Sequence, residues 1–244
     1  MRRSAKVACL AALAALAVAG QFLLASRRPS KTPAIASGVF AALGGLRSIA
    51  AEILWFRADR LQDEGRYVEL AQLASTLTFM EPHTPEVWSY AAWNLAYNVS
   101  IMMPTPEDRW RWVEASLRLL RDEGLKLNPK EAELYREIAW FFEIKVGTDI
   151  DAASGVYRAK WRETVADVAA RGAWDELAMS VRDMDEVERV YGVRDWADPM
   201  ASAIYWAHMG LRYAEGGDVA FLKEIIRQSV HIMSKNPLST GERF

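Results

Sequence analysis

The chain has 244 residues, of which 51% are hydrophobic and 25% are charged, with 30 Lys and Arg, 32 Asp and Glu, and one Cys. This is the composition of a folded globular protein, and it excludes an intrinsically disordered chain, a collagen-like repeat and a small disulfide scaffold. Residues 1–31 contain six basic residues and no acidic one, which leaves residues 32–244 with a net charge of −8. Such an acidic region repels polyphosphate and argues against nucleic-acid binding.

The N-terminal residues have the pattern of a membrane anchor. Residues 7–25 contain no charged side chain and are long enough to cross a bilayer as one helix. The alternative is a signal peptide cleaved after the small residues 17–19, which would give a secreted protein. We predict an uncleaved anchor within residues 1–31, because the apolar run continues past that motif and stops at Arg27.

Basic residues flank the apolar segment on both sides, so its orientation rests on a small difference in positive charge. We predict that the N-terminus lies inside the cytoplasm and that the rest of the chain lies outside it, on the periplasmic side, which also agrees with the signal-peptide alternative. Residues 32–38 are predicted to be a linker, and residues 39–244 a helical domain.

Beyond residue 39 the sequence predicts an all-α fold. Apolar residues recur at spacings of three and four, as in Trp110, Val113 and Leu117, and alternation of period two is nearly absent. Pro and Gly separate segments of helical length. Thr105 followed by Pro106 is typical of a helix N-terminus, with the threonine as the cap.

Internal repeats predict how these helices are organised. Residues 206–213 have Trp206, Met209, Gly210 and Tyr213 at the spacing W-x2-L-G-x2-Y, with Met in place of Leu, and this resembles the tetratricopeptide repeat. Weaker copies begin at three further positions, Leu54, Trp88 and Tyr135. The resemblance covers about residues 46–237 and implies a solenoid of about four helix pairs.

The spacing of the copies is not uniform. Trp88 and Tyr135 are 47 residues apart, as are Pro82 and Pro129, so this unit is longer than the usual 34-residue repeat, with the extra residues around 100–108. Residues 172–198 do not fit the pattern and are predicted to form an extra helix and a loop. The fragments 92–98 and 201–207 also resemble membrane-anchored helical-repeat proteins of bacteria.

The resemblance implies a binding groove. In the tetratricopeptide family the first helix of each pair lines a concave surface, and the matching positions here are Trp55, Asp59, Ser89, Trp93, Arg136 and Trp140, with Tyr97 and Glu143 one turn further on. Trp, Tyr and Arg often dominate binding energy, so we hypothesise that the groove holds a peptide or a helix of a partner protein. The alternative is that these aromatic residues pack the interior, or pack under a covering helix such as 174–190.

Two asparagines and three acids have competing interpretations. Asn94 and Asn98 share one helical face and are predicted to satisfy carbonyls of neighbouring helices rather than to bind a peptide backbone. Asp149 and Asp151, with Glu143 nearby, allow a carboxylate pair for hydrolysis. We instead predict that the aspartates cap a helix over residues 152–170.

The sequence contains no recognised catalytic, phosphate-binding or metal-binding motif, so we predict no enzymatic activity, no cofactor and no metal. The predicted function is that of a membrane-anchored scaffold or adaptor that binds proteins in a bacterial envelope complex for secretion, pilus assembly or transport. The alternatives are an envelope enzyme that acts on glycan or peptide through the carboxylates, and a structural spacer that self-assembles.

Overall fold

The computed structural model describes residues 50–193 and 195–235. This part of the chain contains nine α-helices of nine residues or more and no strand, which confirms the predicted all-α class. The predicted anchor over residues 7–25 and the linker over residues 32–38 lie outside the described residues. Within the described ranges, no helix is both long and apolar enough to cross a membrane.

The chain divides into two compact units between Glu64 and Gly65. The first contains α1, residues 50–63. The second contains the remaining helices in this order: α2 (Tyr67–Met80), α3 (Pro85–Trp93), α4 (Pro106–Arg118), α5 (Ala132–Trp140), α6 (Ser154–Arg171), α7 (Val181–Tyr191), α8 (Pro199–Gly210) and α9 (Gly217–Lys235). Three helices continue as π-helical turns, which are Asn94–Val99 after α3, Leu119–Gly124 after α4 and Phe141–Val146 after α5.

Side-chain caps fix where several helices begin. Thr105 Oγ1 accepts a hydrogen bond of 3.1 Å from the Asp108 amide, which confirms the predicted cap of α4. Ser180 and Asp198 cap α7 and α8 in the same way. Such caps satisfy amides at the helix N-terminus that have no partner within the helix.

Three helices of the second unit run parallel to one another. Ser89 and Trp93 of α3 bond to Glu133 and Glu137 of α5, so the residue numbers of the two helices increase in the same direction. In the same way Arg136 and Trp140 of α5 contact Asp218 and Phe221 of α9. The layer therefore has the order α3, α5, α9, although α9 lies far from α5 in the sequence.

The helix α8 packs antiparallel to α5 and beside α9. Gly210, at the end of α8, lies so close to Tyr135, near the start of α5, that a Cβ on the glycine would lie 2.8 Å from Tyr135 Cβ. The same Cβ would lie 3.1 Å from Leu222 Cδ1 in α9. Residues 206–213 therefore end a helix that runs opposite to α5, whereas the tetratricopeptide resemblance implied a first helix running alongside it.

An insertion, residues 147–198, separates α5 and its π-helical turn from α8. It contains α6, which packs on α4, a short 3₁₀ turn at Trp174–Leu177, and α7, which packs on α8. The helix α7 and the residues after it agree with the extra helix and loop predicted for residues 172–198. The buried side chains of the second unit form one apolar core, which includes Trp88, Ile138 and Tyr205.

Two stretches that lie 47 residues apart have the same local structure. The helices α3 and α5 each have nine residues and then a six-residue π-helical segment, at equivalent positions. Trp88 Nε1 donates to the Pro82 carbonyl over 3.0 Å, and at the equivalent positions Tyr135 Oη donates to the Pro129 carbonyl over 2.9 Å. The entry into both helices is therefore built by the same contacts.

Candidate functional site

The candidate site is formed by α3, α5 and α9 together with the π-helical turns that continue α3 and α5. We call the surface on which the side chains of these segments contact one another the three-helix face. Its aromatic centre is a stacked pair, Trp93 and Tyr97, with ring centroids 4.3 Å apart and planes at 20°. Phe141 meets both rings edge-on. Trp93 is nevertheless 39% exposed, so its indole is open to a partner.

A second aromatic pair joins α5 to α9. The rings of Trp140 and Phe221 lie 5.6 Å apart, and Phe221 is 42% exposed. The guanidinium of Arg136 lies 5.7 Å from the Phe221 ring, so this ring already stabilises a cation within the chain. The three-helix face thus offers two aromatic surfaces, one on each side of α5.

Carboxylates of α5 lie among these rings. Ser89 Oγ donates to Glu133 over 2.9 Å, and Trp93 Nε1 donates to Glu137 over 2.6 Å. Arg136 bonds to both Glu137 and Asp218 and so links α5 to α9. Partial burial raises the pKa of the Glu133 carboxyl above its ordinary value, and the negative charges of Glu86 and Glu137 add to this rise.

Glu143 is the most buried acid of the three-helix face. It is 1% exposed, and its Oε1 has no hydrogen-bond partner within the described residues. Burial raises the pKa of its carboxyl to about 7, and the charge of Glu224 in α9 contributes to the rise. Burial also raises the pKa of the Tyr97 hydroxyl. Glu143 therefore exchanges a proton near neutral pH.

Six of the eight residues predicted for the groove lie on the three-helix face: Ser89, Trp93, Tyr97, Arg136, Trp140 and Glu143. The other two, Trp55 and Asp59, lie in α1, within the first compact unit. Sequence reasoning missed five residues that complete the face: Glu133, Glu137, Asp218, Phe221 and Glu224. The glutamates of α5 could have been found from their helical spacing to Trp140, whereas the residues of α9 required its packing on α5.

The asparagines and aspartates have structural partners. Asn94 Nδ2 donates to the Tyr67 carbonyl at the start of α2 over 3.2 Å, which agrees with the predicted structural role, and Asn98 donates to Asn94 over 3.1 Å. Asp151 is buried, bonds to Lys145 over 2.6 Å and accepts the Ala153 amide at the start of α6. Its carboxylate thus stabilises the turn before α6 and neutralises a buried ammonium. The prediction that the aspartates cap this helix is wrong: α6 begins at Ser154, and no side chain of the described residues accepts a hydrogen bond as its cap.

The three acids of the alternative catalytic site have different surroundings. Asp149 is exposed and bonds to Arg158 over 2.7 Å. Asp151 accepts a 3.1 Å hydrogen bond from the Tyr157 hydroxyl in addition to the contact with Lys145. Glu143, in contrast, has no ion-pair partner among the described residues, and the like charge of Glu224 in α9 disfavours its ionised form. In the part of the chain that the structure describes, no group of three or more His, Cys, Asp or Glu is arranged to hold a metal ion.

Comparisons with known proteins give no match. No protein-family model, no curated protein and no solved structure is similar to this chain at a significant level.

Proposed function

We propose that this protein is a non-catalytic scaffold or adaptor, and that its three-helix face binds a segment of a partner protein. The observation that supports this most is the exposed aromatic surface of Trp93 and Phe221 on a layer of parallel helices. Large exposed aromatic side chains that flank charged groups are typical of binding surfaces, because they remove much apolar area from water when a partner covers them.

We further propose that the second unit is a modified tetratricopeptide-like solenoid. The parallel order of α3, α5 and α9 supports this, as does the recurrence of one set of contacts at 47 residues. In this proposal α3 pairs with α4 and α5 pairs with α8, while α6 and α7 are an insertion within the second pair. The concave side of such a stack is then the three-helix face.

The proposed location is the bacterial cell envelope, with the second unit on the periplasmic side of a membrane. It rests on the uncharged residues 7–25 and their basic flanks. Reporter fusions at the C-terminus, one active only in the cytoplasm and one only in the periplasm, test the orientation. Mass determination of the purified protein distinguishes an uncleaved anchor from a cleaved signal peptide.

Site-specific photocrosslinking tests the binding function. A benzoylphenylalanine at position 93 is expected to crosslink a defined partner in intact cells, and the same probe at position 196 serves as the control. Trp196 is a matched residue, because its Nε1 also bonds to a glutamate, Glu188, over 2.7 Å, but on a different surface. The proposal is contradicted if position 93 gives no protein adduct, or if both positions give the same adducts.

A further inference from the structure

The acids of the three-helix face exceed the cations that neutralise them. Arg136 pairs with Glu137 and Asp218, and Arg227 pairs with Glu224. Three further carboxylates, those of Glu86, Glu133 and Glu143, form no salt bridge with any residue of 50–193 or 195–235. Arg136 also acts on Glu133 through its charge, and Glu143 is only partly ionised at neutral pH, but the acids of the face still outnumber the arginines that pair with them.

One of these carboxylates, that of Glu143, lacks a hydrogen-bond donor for one oxygen within the described residues. Glu143 is almost fully buried, yet its Oε1 accepts no hydrogen bond from any described residue. It follows Arg136 and Trp140 at helical spacing, and the negative charge of Glu224 in α9 acts on its carboxyl. A buried carboxylate oxygen without a donor is costly, and a cationic donor is the group that satisfies it best.

The aromatic rings of the same surface favour cations as well. The Arg136 guanidinium lies over Phe221, and the Lys145 ammonium lies 4.8 Å from the ring centroid of Tyr97. Because Tyr97 stacks on Trp93, whose outer side is exposed, the indole is a free aromatic surface of the same kind. Carboxylates and aromatic rings therefore act together on one class of ligand.

We infer that the occupant of the three-helix face is a basic polypeptide segment, with Lys or Arg side chains that lie against Trp93 and between the carboxylates of α3 and α5. This inference rests on the proposed function, and it specifies the chemistry of the partner. The positive charges of the segment lie near the carboxylates of the face that form no salt bridge within the described chain. The aliphatic parts of its Lys or Arg side chains cover the exposed aromatic rings.

A random-peptide phage library, selected against the full-length protein in detergent micelles, tests the inference. We expect the selected peptides to be enriched in Lys and Arg, and their binding to weaken as salt is added. Glu133→Gln and Glu143→Gln are each expected to reduce the affinity of a selected peptide about two- to fivefold. Glu163→Gln is the matched control, since Glu163 is an exposed acid of α6 bonded to Lys160, and it should leave the affinity unchanged.

The outcomes separate this inference from the proposed function. Selected peptides that lose binding to Trp93→Ala but show no excess of basic residues overturn the inference and leave the binding function in place. Basic peptides that bind both glutamine variants as well as the wild type also overturn it, because they respond only to the overall negative charge. A selection that yields no peptide dependent on Trp93 contradicts both. Circular dichroism of each variant confirms that the helical fold is retained.

Discussion

The close approach of α8 to α5 at Gly210 allows a test of the topology of the second unit. In Gly210→Ala, the new methyl group would lie 2.8 Å from Tyr135 Cβ and 3.1 Å from Leu222 Cδ1. Cβ atoms cannot move without the backbone, so α8 must shift away from α5. Overpacking of this kind costs about 1–3 kcal/mol, and the gain in helix propensity at the last residue of α8 offsets only part of it.

We expect Gly210→Ala to lower the free energy of unfolding by about 1–2 kcal/mol, which corresponds to a fall in Tm of about 2–8 °C for a chain of this length. Urea titration followed by circular dichroism measures this change. Gly155→Ala is the matched control: a Cβ at Gly155, in the first turn of α6, would meet no atom within 4 Å, so we expect a change within about 0.5 kcal/mol. If Gly210→Ala is as stable as the wild type, α5, α8 and α9 do not meet at Gly210.

Three further predictions concern the side chains in and beside the three-helix face. The raised pKa of Glu143 means that the folded state binds a proton which the unfolded state releases, so the free energy of unfolding should fall as pH rises from about 4.5 through about 7. Urea titrations at several pH values measure this slope, and Glu143→Gln should flatten it. Asp151→Asn leaves the buried Lys145 ammonium without its charged partner and should lower the free energy of unfolding by about 3 kcal/mol in the same titration. Asp149→Asn, at an exposed site, should leave the free energy of unfolding unchanged, and equal losses in the two variants would refute this explanation. Trp140→Ala should lower Tm more than Trp93→Ala, because Trp140 packs between α5 and α9 whereas Trp93 is partly exposed. The reverse order of Tm values in thermal melts would place Trp93 in the core.

The local features of the fold were predictable from the sequence, because they depend on residues that are close in the chain. Helical periodicity gave the all-α class, and Thr105 with Pro106 gave the start of α4. The spacing within α3 and α5 placed Trp93, Tyr97 and Trp140 on one surface, although each helix continues into a π-helical turn. A register of three or four residues is enough to specify such a face.

The arrangement of the later helices was not predictable in the same way. Residues 206–213 match the tetratricopeptide pattern because a small residue is needed wherever two helices cross closely, and Gly210 meets that need against Tyr135 and Leu222. The pattern does not reveal which neighbour requires the small residue, or whether the helix runs parallel or antiparallel to it. The contribution of α9 to the candidate site, including Phe221, was missed for that reason.

The insertion of residues 147–198 between α5 and α8 also affects how the chain folds. The hairpin of α3 and α4 joins residues that are close in sequence. The antiparallel neighbour of α5, in contrast, is α8, whose residues lie beyond 198. Contacts between distant segments form slowly, because the intervening loop loses entropy when it closes. During synthesis α9 emerges after every other described helix, so the three-helix face is completed last. Until then the chain exposes Trp93 and Trp140 without Phe221 and the carboxylates of α9.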